Sequence, residues 1–187
     1  TVPARLKFLK SNATENGHIA DVVTRYALAF PEVRFTLSVD RRITLRTSGS
    51  GDLLEAVRAV YGNEVASGML AIPASEWGEN PVRVTGLTGT PTIARASRSY
   101  LSIFVNRRYV NSRLLSYAVE EAYQGMLMVG KHPVAVLNIA IAPKELDVNV
   151  HPAKTEIKFA NEHTVFSAVQ RAVRQAFLEL LRFGHDG

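Results

Sequence analysis

The sequence predicts an α+β domain built on one mixed β-sheet with helices packed on one side of it. Two observations lead to this prediction. Segments with apolar residues at every second position, typical of half-buried strands, follow one another along the chain. Amphipathic helical segments stand between some of these strands, a pattern that favours a sheet covered by helices. No unit of about 20 to 50 residues recurs, which excludes a solenoid.

The first third of the chain is predicted to contain two helices and two strands. A capping residue followed by apolar residues at helical spacing, and then by Pro or Gly, predicts a helix, whereas alternation predicts a strand. In chain order the elements are a helix from the capping box at 12–15 to Pro31, strands over 33–39 and 43–46, and a helix between Asp52 and Gly62. Asp40 and Arg41 are expected to turn the chain between the two strands.

The same patterns predict the elements of the middle of the chain. Strands are expected over 69–73, 82–87, 100–106 and 134–141. Residues 86–98 contain two glycines, a proline and several hydroxyl side chains, which favours a long loop. Ser112 is expected to cap a helix. The predicted buried stripe of that helix is Leu115, Val119, Ala122, Tyr123 and Met126.

The last third is predicted to form two strands and a long helix. Alternation over 147–150 and 156–159 predicts half-buried strands, and Pro152 interrupts the ladder between them. The chain then closes with an amphipathic helix. Its predicted apolar face is Val165, Val169, Ala172, Val173, Ala176, Phe177 and Leu180.

Composition limits the class of protein. With 187 residues, 47% of them hydrophobic, the chain can bury a sizeable core. The absence of cysteine excludes disulfides, thiolate zinc sites and a cysteine nucleophile. No apolar run reaches the roughly 20 residues that a spanning helix needs and no signal peptide is visible, so no membrane partner is expected. Because residue 1 is not Met, a processed product or a piece of a longer protein is expected.

Positive charge is concentrated in one region. Residues 80–119 contain six arginines and neither lysine nor an acid, so this window carries +6 while the whole chain carries +5. The six are Arg83, Arg95, Arg98, Arg107, Arg108 and Arg113. Such one-sided charge suits a polyanion that docks on one surface, and it also suits a solvated face whose acidic partners come from elsewhere in the fold. Composition leaves both alternatives open.

Motifs for self-contained catalysis are absent. The five histidines lack metal-binding spacing. The chain has no Gly-x-Ser-x-Gly elbow, Ser-x-x-Lys pair, Gly-x-x-x-x-Gly-Lys loop or Gly-x-Gly-x-x-Gly fingerprint. If this chain takes part in catalysis, it completes a site that lies mostly elsewhere, and no cofactor is expected for the chain alone.

Lys154 is the first candidate for such a contribution. It stands in the tip between two predicted strands, which would fix where its flexible stem begins. A lysine ammonium on such a stem suits a terminal phosphate held by a neighbouring domain. The alternative is a solvated loop lysine.

The second candidate is the segment 106–113, which leads from a strand to the helix capped by Ser112. Arg113 would stand at the first helical position, where the macrodipole disfavours a cation. Three arginines at such a place make sense if an anion binds there, because the unpaired backbone N–H groups of the first turn favour the same ligand. Asn and Tyr side chains nearby add neutral donors for phosphate oxygens. The alternative is that the arginines point into water.

Three segments, in this order, resemble the MutL/Mlh/Pms DNA mismatch-repair family. They are PARLKFL at 3–9, FVNRRYV at 104–110 and DVNVHPAK at 147–154, and the Val-Asn-Val-His-Pro-x-Lys string is highly specific. The resemblance implies a transducer domain with a ribosomal protein S5 domain 2-like fold over 31–187. Residues 1–30 would be the tail of a preceding GHKL-type ATPase domain. That domain's nucleotide motifs and the family's C-terminal endonuclease and dimerisation region do not occur in this sequence.

The resemblance also implies roles for individual positions. Lys154 matches the lysine that reaches the ATP γ-phosphate, and Asn149 matches a family position near the same loop. Arg108 and Arg113 match basic positions implicated in DNA binding. Arg107 stands where the family commonly has Gly, and it adds charge.

Further expectations concern the intact parent protein. Arg95 and Arg98 are weaker DNA-binding candidates, because they share the charged window. The resemblance implies ATP and Mg²⁺ as cofactors, ATP hydrolysis, a homo- or heterodimer and DNA held mainly by its phosphates. It also implies a MutS-type mismatch sensor and downstream repair factors as partners. The expected location is the bacterial cytoplasm at the nucleoid, or the nucleus of a eukaryote.

Two other classes stay open. The chain could be a stand-alone S5-like RNA- or DNA-binding module, because fold alone does not decide function. It could also be the transducer of another GHKL machine, such as a type II topoisomerase or an Hsp90-like chaperone. The His-Pro-Ala-Lys string argues against both.

Overall fold

The structure, a computed structural model, describes residues 2–74, 82–148 and 157–183. Two compact units make up the chain, Thr1–Gly62 and Asn63–Gly187. No helix in these described ranges is long and apolar enough to cross a membrane. The domain division predicted at residues 30 and 31 concerns the parent protein and stays a prediction.

The first unit contains two helices and a β-hairpin. Its elements are α1 (Val2–Ala29), β1 (Thr36–Val39), β2 (Arg42–Arg46) and α2 (Leu53–Tyr61), and the two strands are antiparallel. The helix start predicted at the capping box is wrong, because α1 runs through it from Val2. Pro3 stands in the first turn, where its missing N–H breaks no helical hydrogen bond. The caps predicted for α2 are confirmed: Asp52 accepts a hydrogen bond from the backbone N of Leu54, and Gly62 follows the last turn.

The second unit contains a five-stranded sheet with the strand order β3-β4-β7-β5-β6. Helix α3 (Asn63–Ser67) precedes the strands β3 (Met69–Ala71), β4 (Val82–Gly89), β5 (Leu101–Val105), β6 (Arg108–Tyr109) and β7 (Ala135–Ile141). The β5–β7 pair is parallel and the other three pairs are antiparallel, so the predicted mixed sheet is confirmed. Helix α4 (Arg113–Ala122) lies between β6 and β7 in the chain. A second hairpin, β8 (Leu146–Val148) with β9 (Ile157–Phe159), leads to α5 (Glu162–Phe183).

One face of the five-stranded sheet packs against α4 and α5. A single apolar cluster combines side chains of β4, β5 and β7 with side chains of both helices. Its members include Val84, Ile103, Leu137 and Ile139 from the sheet and Leu115, Val119, Val165, Val169 and Val173 from the helices. The prediction that helices pack on one side of the sheet is therefore confirmed.

Tyr123, which follows α4, fastens the end of that helix to β4. Its ring is buried and meets the ring of Phe177 edge-on, with 5.0 Å between centroids. Its hydroxyl lies 2.6 Å from the Thr88 hydroxyl and donates to the carbonyl oxygen of Gly89. Burial raises the pKa of Tyr123 well above the ordinary range of a phenol, so this donor keeps its proton at any physiological pH.

Three predictions about the second unit are wrong in part. The loop predicted over 86–98 is shorter, because β4 continues to Gly89 and short 3-10 helices follow at Pro91–Ile93 and Arg98–Tyr100. Met126 is exposed because α4 ends at Ala122, which removes Met126 from the helical stripe. Leu180 is exposed, as are Leu178 and Leu181, so the last turns of α5 leave the core.

Candidate nucleic-acid interface

The predicted anion site lies where the β5–β6 hairpin meets the start of α4. Ser112 caps α4 as predicted, since its hydroxyl oxygen accepts a hydrogen bond from the backbone N of Leu115 at 3.3 Å. Arg113 is the first helical residue, and the first turn contains no acid. Arg108 in β6 and Arg113 are both exposed. Within residues 82–148 and the other described stretches, neither guanidinium forms an ion pair.

A groove of about 660 Å³ runs beside this helix start. Arg98 and Arg113 both line it, and Asn111 and Ser116 add neutral polar groups. The rest of the lining is Leu101, Ile103, Tyr109, Val110, Tyr117 and Glu120. The groove therefore combines two cationic side chains with neutral donors, and it contains one carboxylate.

Asn106 holds the hairpin in place, a role that the sequence analysis missed. Its side-chain amide donates to the Ile141 carbonyl oxygen at 2.9 Å and accepts from the Ile141 backbone N at 3.0 Å. Its own backbone N donates to the Ile139 carbonyl oxygen at 2.8 Å. This amide is used within the fold, whereas Asn111 lines the groove. The available signal was Asn at the first position of a two-residue turn, which is typical of hairpins.

Arg107 occupies a backbone conformation that favours glycine. Asn106 and Arg107 have φ angles of 50° and 67°, as a type I′ hairpin turn requires at both central positions. The backbone N of Arg107 donates to the Asn138 side-chain oxygen at 2.9 Å. The left-handed region is unfavourable for any residue with a Cβ atom, which gives a physical reason for Gly at this position in a hairpin.

We therefore expect Arg107→Gly to raise the free energy of unfolding by about 1 kcal/mol, because Gly removes the left-handed strain. Urea denaturation measures the change. Arg107→Ala is the matched control, since it removes the same side chain but keeps the Cβ atom in the left-handed region. Equal stabilities of the two variants would contradict the strain at this turn.

Acids from outside the charged window pair with two of its arginines. Arg95 lies 3.7 Å from the Glu64 carboxylate, and its guanidinium stacks 5.6 Å from the centre of the Tyr100 ring. Arg98 Nε lies 3.7 Å from Glu120 Oε1. Arg95 and Arg98 therefore fit the second interpretation of the charged window, a solvated face whose acidic partners come from elsewhere in the fold. Arg108 and Arg113 do not. A window of sequence cannot reveal partners that only the tertiary fold brings close.

Lys154 and Asn149 lie outside the described residues. The strands predicted on either side of them are confirmed over Leu146–Val148 and Ile157–Phe159, and the two are antiparallel with Val148 opposite Ile157. In the described part of the chain, no group of three or more His, Cys, Asp or Glu side chains could hold a metal ion.

The chain matches the model of a known protein family over most of its length. The model for the C-terminal domain of DNA mismatch repair proteins matches residues 57–178. The chain belongs to the DNA mismatch repair protein family. It is 47% identical to the MutL protein of Symbiobacterium thermophilum, over 94% of this chain and 27% of that protein. It is 45% identical to the MutL of Desulforudis audaxviator, over 93% of this chain and 30% of that protein.

Solved structures share the fold of this mismatch repair chain. The N-terminal domain of a DNA repair protein matches with a TM-score of 0.72 and 19% identity, over 95% of this chain and 58% of that one. The Aquifex aeolicus MutL ATPase domain, complexed with ADP, matches with a TM-score of 0.53 and 20% identity, over 89% of this chain and 52% of that one. The predicted family and fold class are confirmed. The chain spans between a quarter and a third of the length of the two MutL proteins.

Proposed function

We propose that this chain is the transducer domain of a MutL-type mismatch-repair ATPase. In this role it couples ATP held by a preceding domain to dimerisation of the N-terminal halves and to DNA engagement. The observation that carries the proposal is the identity to MutL proteins over nearly the whole chain, which covers only about a quarter of their length. The fold shared with the ATPase domain of Aquifex MutL, a structure that contains ADP, supports a nucleotide in the parent protein.

The nucleotide contact is assigned to Lys154. Its ammonium would donate to the γ-phosphate of ATP that the preceding domain holds with Mg²⁺, and Asn149 would brace the same loop. Because ADP lacks a γ-phosphate, this contact would differ between the two states, and a switch needs such a difference. The β8–β9 pairing supports the assignment, since it holds both ends of the segment that contains Lys154.

The DNA contact is assigned to the surface around the start of α4. Arg108 and Arg113 would bind phosphates, and Arg95, Arg98 and Arg107 would add to the positive field. Phosphate contacts position a protein without reading sequence, so DNA binding would be largely sequence-independent. A MutS-type sensor, downstream repair factors and a second copy or a homologous subunit complete the proposed assembly, which would act in the bacterial cytoplasm at the nucleoid.

Lys154→Ala in the full-length protein tests the nucleotide contact. We expect ATP turnover to fall about 10- to 100-fold, the equivalent of one lost hydrogen bond between charged groups. The free energy of unfolding should change by less than about 0.5 kcal/mol, since lysines mostly lie at protein surfaces, where substitutions have small effects. Steady-state ATP hydrolysis and thermal unfolding are the two measurements.

Lys144→Ala is the matched control for that experiment, because Lys144 is an exposed lysine in the short 3-10 helix Pro143–Glu145. It should leave turnover and stability unchanged. A Lys154→Ala protein that turns over ATP at the wild-type rate would remove the nucleotide contact from the proposal. A melting temperature lowered as far as that of a core variant would show that Lys154 is structural.

A further inference from the structure

Three side chains meet in a triangle beside the groove. Arg98 Nε lies 3.4 Å from His132 Nδ1 and 3.7 Å from Glu120 Oε1, and His132 Nδ1 lies 3.7 Å from the same Glu120 oxygen. The imidazole and the carboxylate are partly buried, with 23% and 33% of their side chains exposed, whereas Arg98 is 74% exposed. One carboxylate thus faces two groups that can be cationic.

The charge of His132 decides which contacts in this triangle can form. A neutral imidazole can accept the Arg98 Nε–H hydrogen at Nδ1, so Arg98 is held by both His132 and Glu120. A protonated imidazole carries a hydrogen on Nδ1 and cannot accept, and it pairs with Glu120 instead. Protonation therefore removes one partner of Arg98 and makes His132 compete for the other. It also raises the net charge of the three groups from zero to +1.

Few other charged groups face His132. The backbone N–H of Arg95 donates to the His132 carbonyl oxygen, and the backbone N–H of His132 donates to the Arg95 carbonyl oxygen. The Arg95 guanidinium, however, forms an ion pair with Glu64. Lys131 precedes it in the chain and is exposed. Glu120 is consequently the anion to which a protonated His132 would turn within the described part of the fold.

We propose that Glu120 and His132 restrain Arg98, and that protonation of His132 releases this arginine to bind a DNA phosphate. The inference rests on the proposed DNA contact of the groove, which Arg98 lines together with Arg113. Arg98 is a long, mostly exposed side chain, so its guanidinium can reach a phosphate once its two anchors weaken. Glu120 and His132 thereby act as positioning residues that set how many cations the groove presents.

DNA affinity should then rise as the pH is lowered, because acid protonates imidazole side chains. At constant ionic strength, the full-length wild type should bind a DNA duplex about two- to fivefold more tightly at pH 6 than at pH 8, the equivalent of one exposed ionic contact. The log–log salt slope should be steeper at pH 6 by about 0.9, which corresponds to one more phosphate contact. Glu120→Gln should show the tighter binding already at pH 8.

Matched variants isolate the mechanism. His132→Gln and Arg98→Gln should each lose the gain at low pH, whereas His163→Gln, a change at an exposed histidine of α5, should keep it. If His132→Gln or Arg98→Gln retains the gain, the proposal is overturned.

A second measurement does not depend on DNA. The Arg98 Nε–H resonance should shift between pH 8 and pH 6 in the wild type and stay constant in His132→Gln. A resonance that titrates equally in both would overturn the restraint. A different result would show that this surface does not bind DNA at all: DNA affinity would then stay unchanged when Arg108 and Arg113 are both replaced by Glu.

Discussion

Gly86→Ala is expected to lower the free energy of unfolding by about 3 kcal/mol or more, a large part of the roughly 5 to 15 kcal/mol of a typical domain. Gly86 lies in β4 opposite Leu137, with a φ angle of 130°. A Cβ atom at this position would lie 2.1 Å from the Val136 carbonyl oxygen and 3.0 Å from the Leu137 Cα atom. Because both contacts are with the backbone of β7, no side-chain rotation can relieve them.

Strands β4 and β7 cannot separate to make room for the Cβ atom without losing further backbone hydrogen bonds. Strand β7 lies between β4 and β5, and the Gly86 carbonyl oxygen also accepts a hydrogen bond from the backbone N of Ile72. Urea denaturation measures the effect, and Gly125→Ala is the control. Gly125 has a φ angle of 81° and nothing within 4 Å of its added Cβ atom, so its substitution should cost only the conformational strain of about 1 kcal/mol. Equal losses in the two variants would contradict the clash.

Local signals in the sequence predicted the parts of the fold that depend on neighbouring residues. The caps at Asp52 and Ser112 and the stop at Gly62 were predicted correctly, because a cap is a hydrogen bond within one turn. The positions of the other strands were also predicted from short alternating or apolar runs, but β6 (Arg108–Tyr109) was not predicted, and β5 is buried on both faces rather than one. The start of α1 was missed because Asn12 can cap a helix or stand inside one, and local pattern does not decide between the two.

Long-range pairing limited what could be predicted about the candidate site. No pattern in the chain indicates that β5 pairs in parallel with β7, or that the Asn106 amide binds the backbone of Ile141. The acids that pair with Arg95 and Arg98 come from outside the charged window, so composition overstated the unpaired positive charge there. Arg113 has the position predicted from the sequence because a helix cap is a local feature, whereas the β5–β6 hairpin that places Arg108 was not predicted.

The double change of Arg108 and Arg113 to Glu should weaken DNA binding by the full-length protein at least about 10-fold. Both side chains are exposed at the start of α4, and the first turn of that helix contains no acid. Each lost phosphate contact should lower the log–log salt slope by about 0.9 on duplex DNA, so the slope should fall by about 1.8. A salt titration of affinity for several duplex sequences measures both quantities, and the loss should be similar for all of them, because phosphate contacts do not read sequence.

Arg171 and Arg174 provide the matched control, since both are exposed arginines of α5 and their change to Glu alters the net charge equally. This control should weaken DNA binding much less and leave the salt slope nearly unchanged, because contact with phosphates, rather than net charge, sets the slope. ATP binding should survive in both double variants, since neither touches the β8–β9 hairpin that flanks Lys154. Equal losses of affinity and slope in the two variants would show that DNA responds to the overall charge, and the α4 surface would then have no special role in binding it.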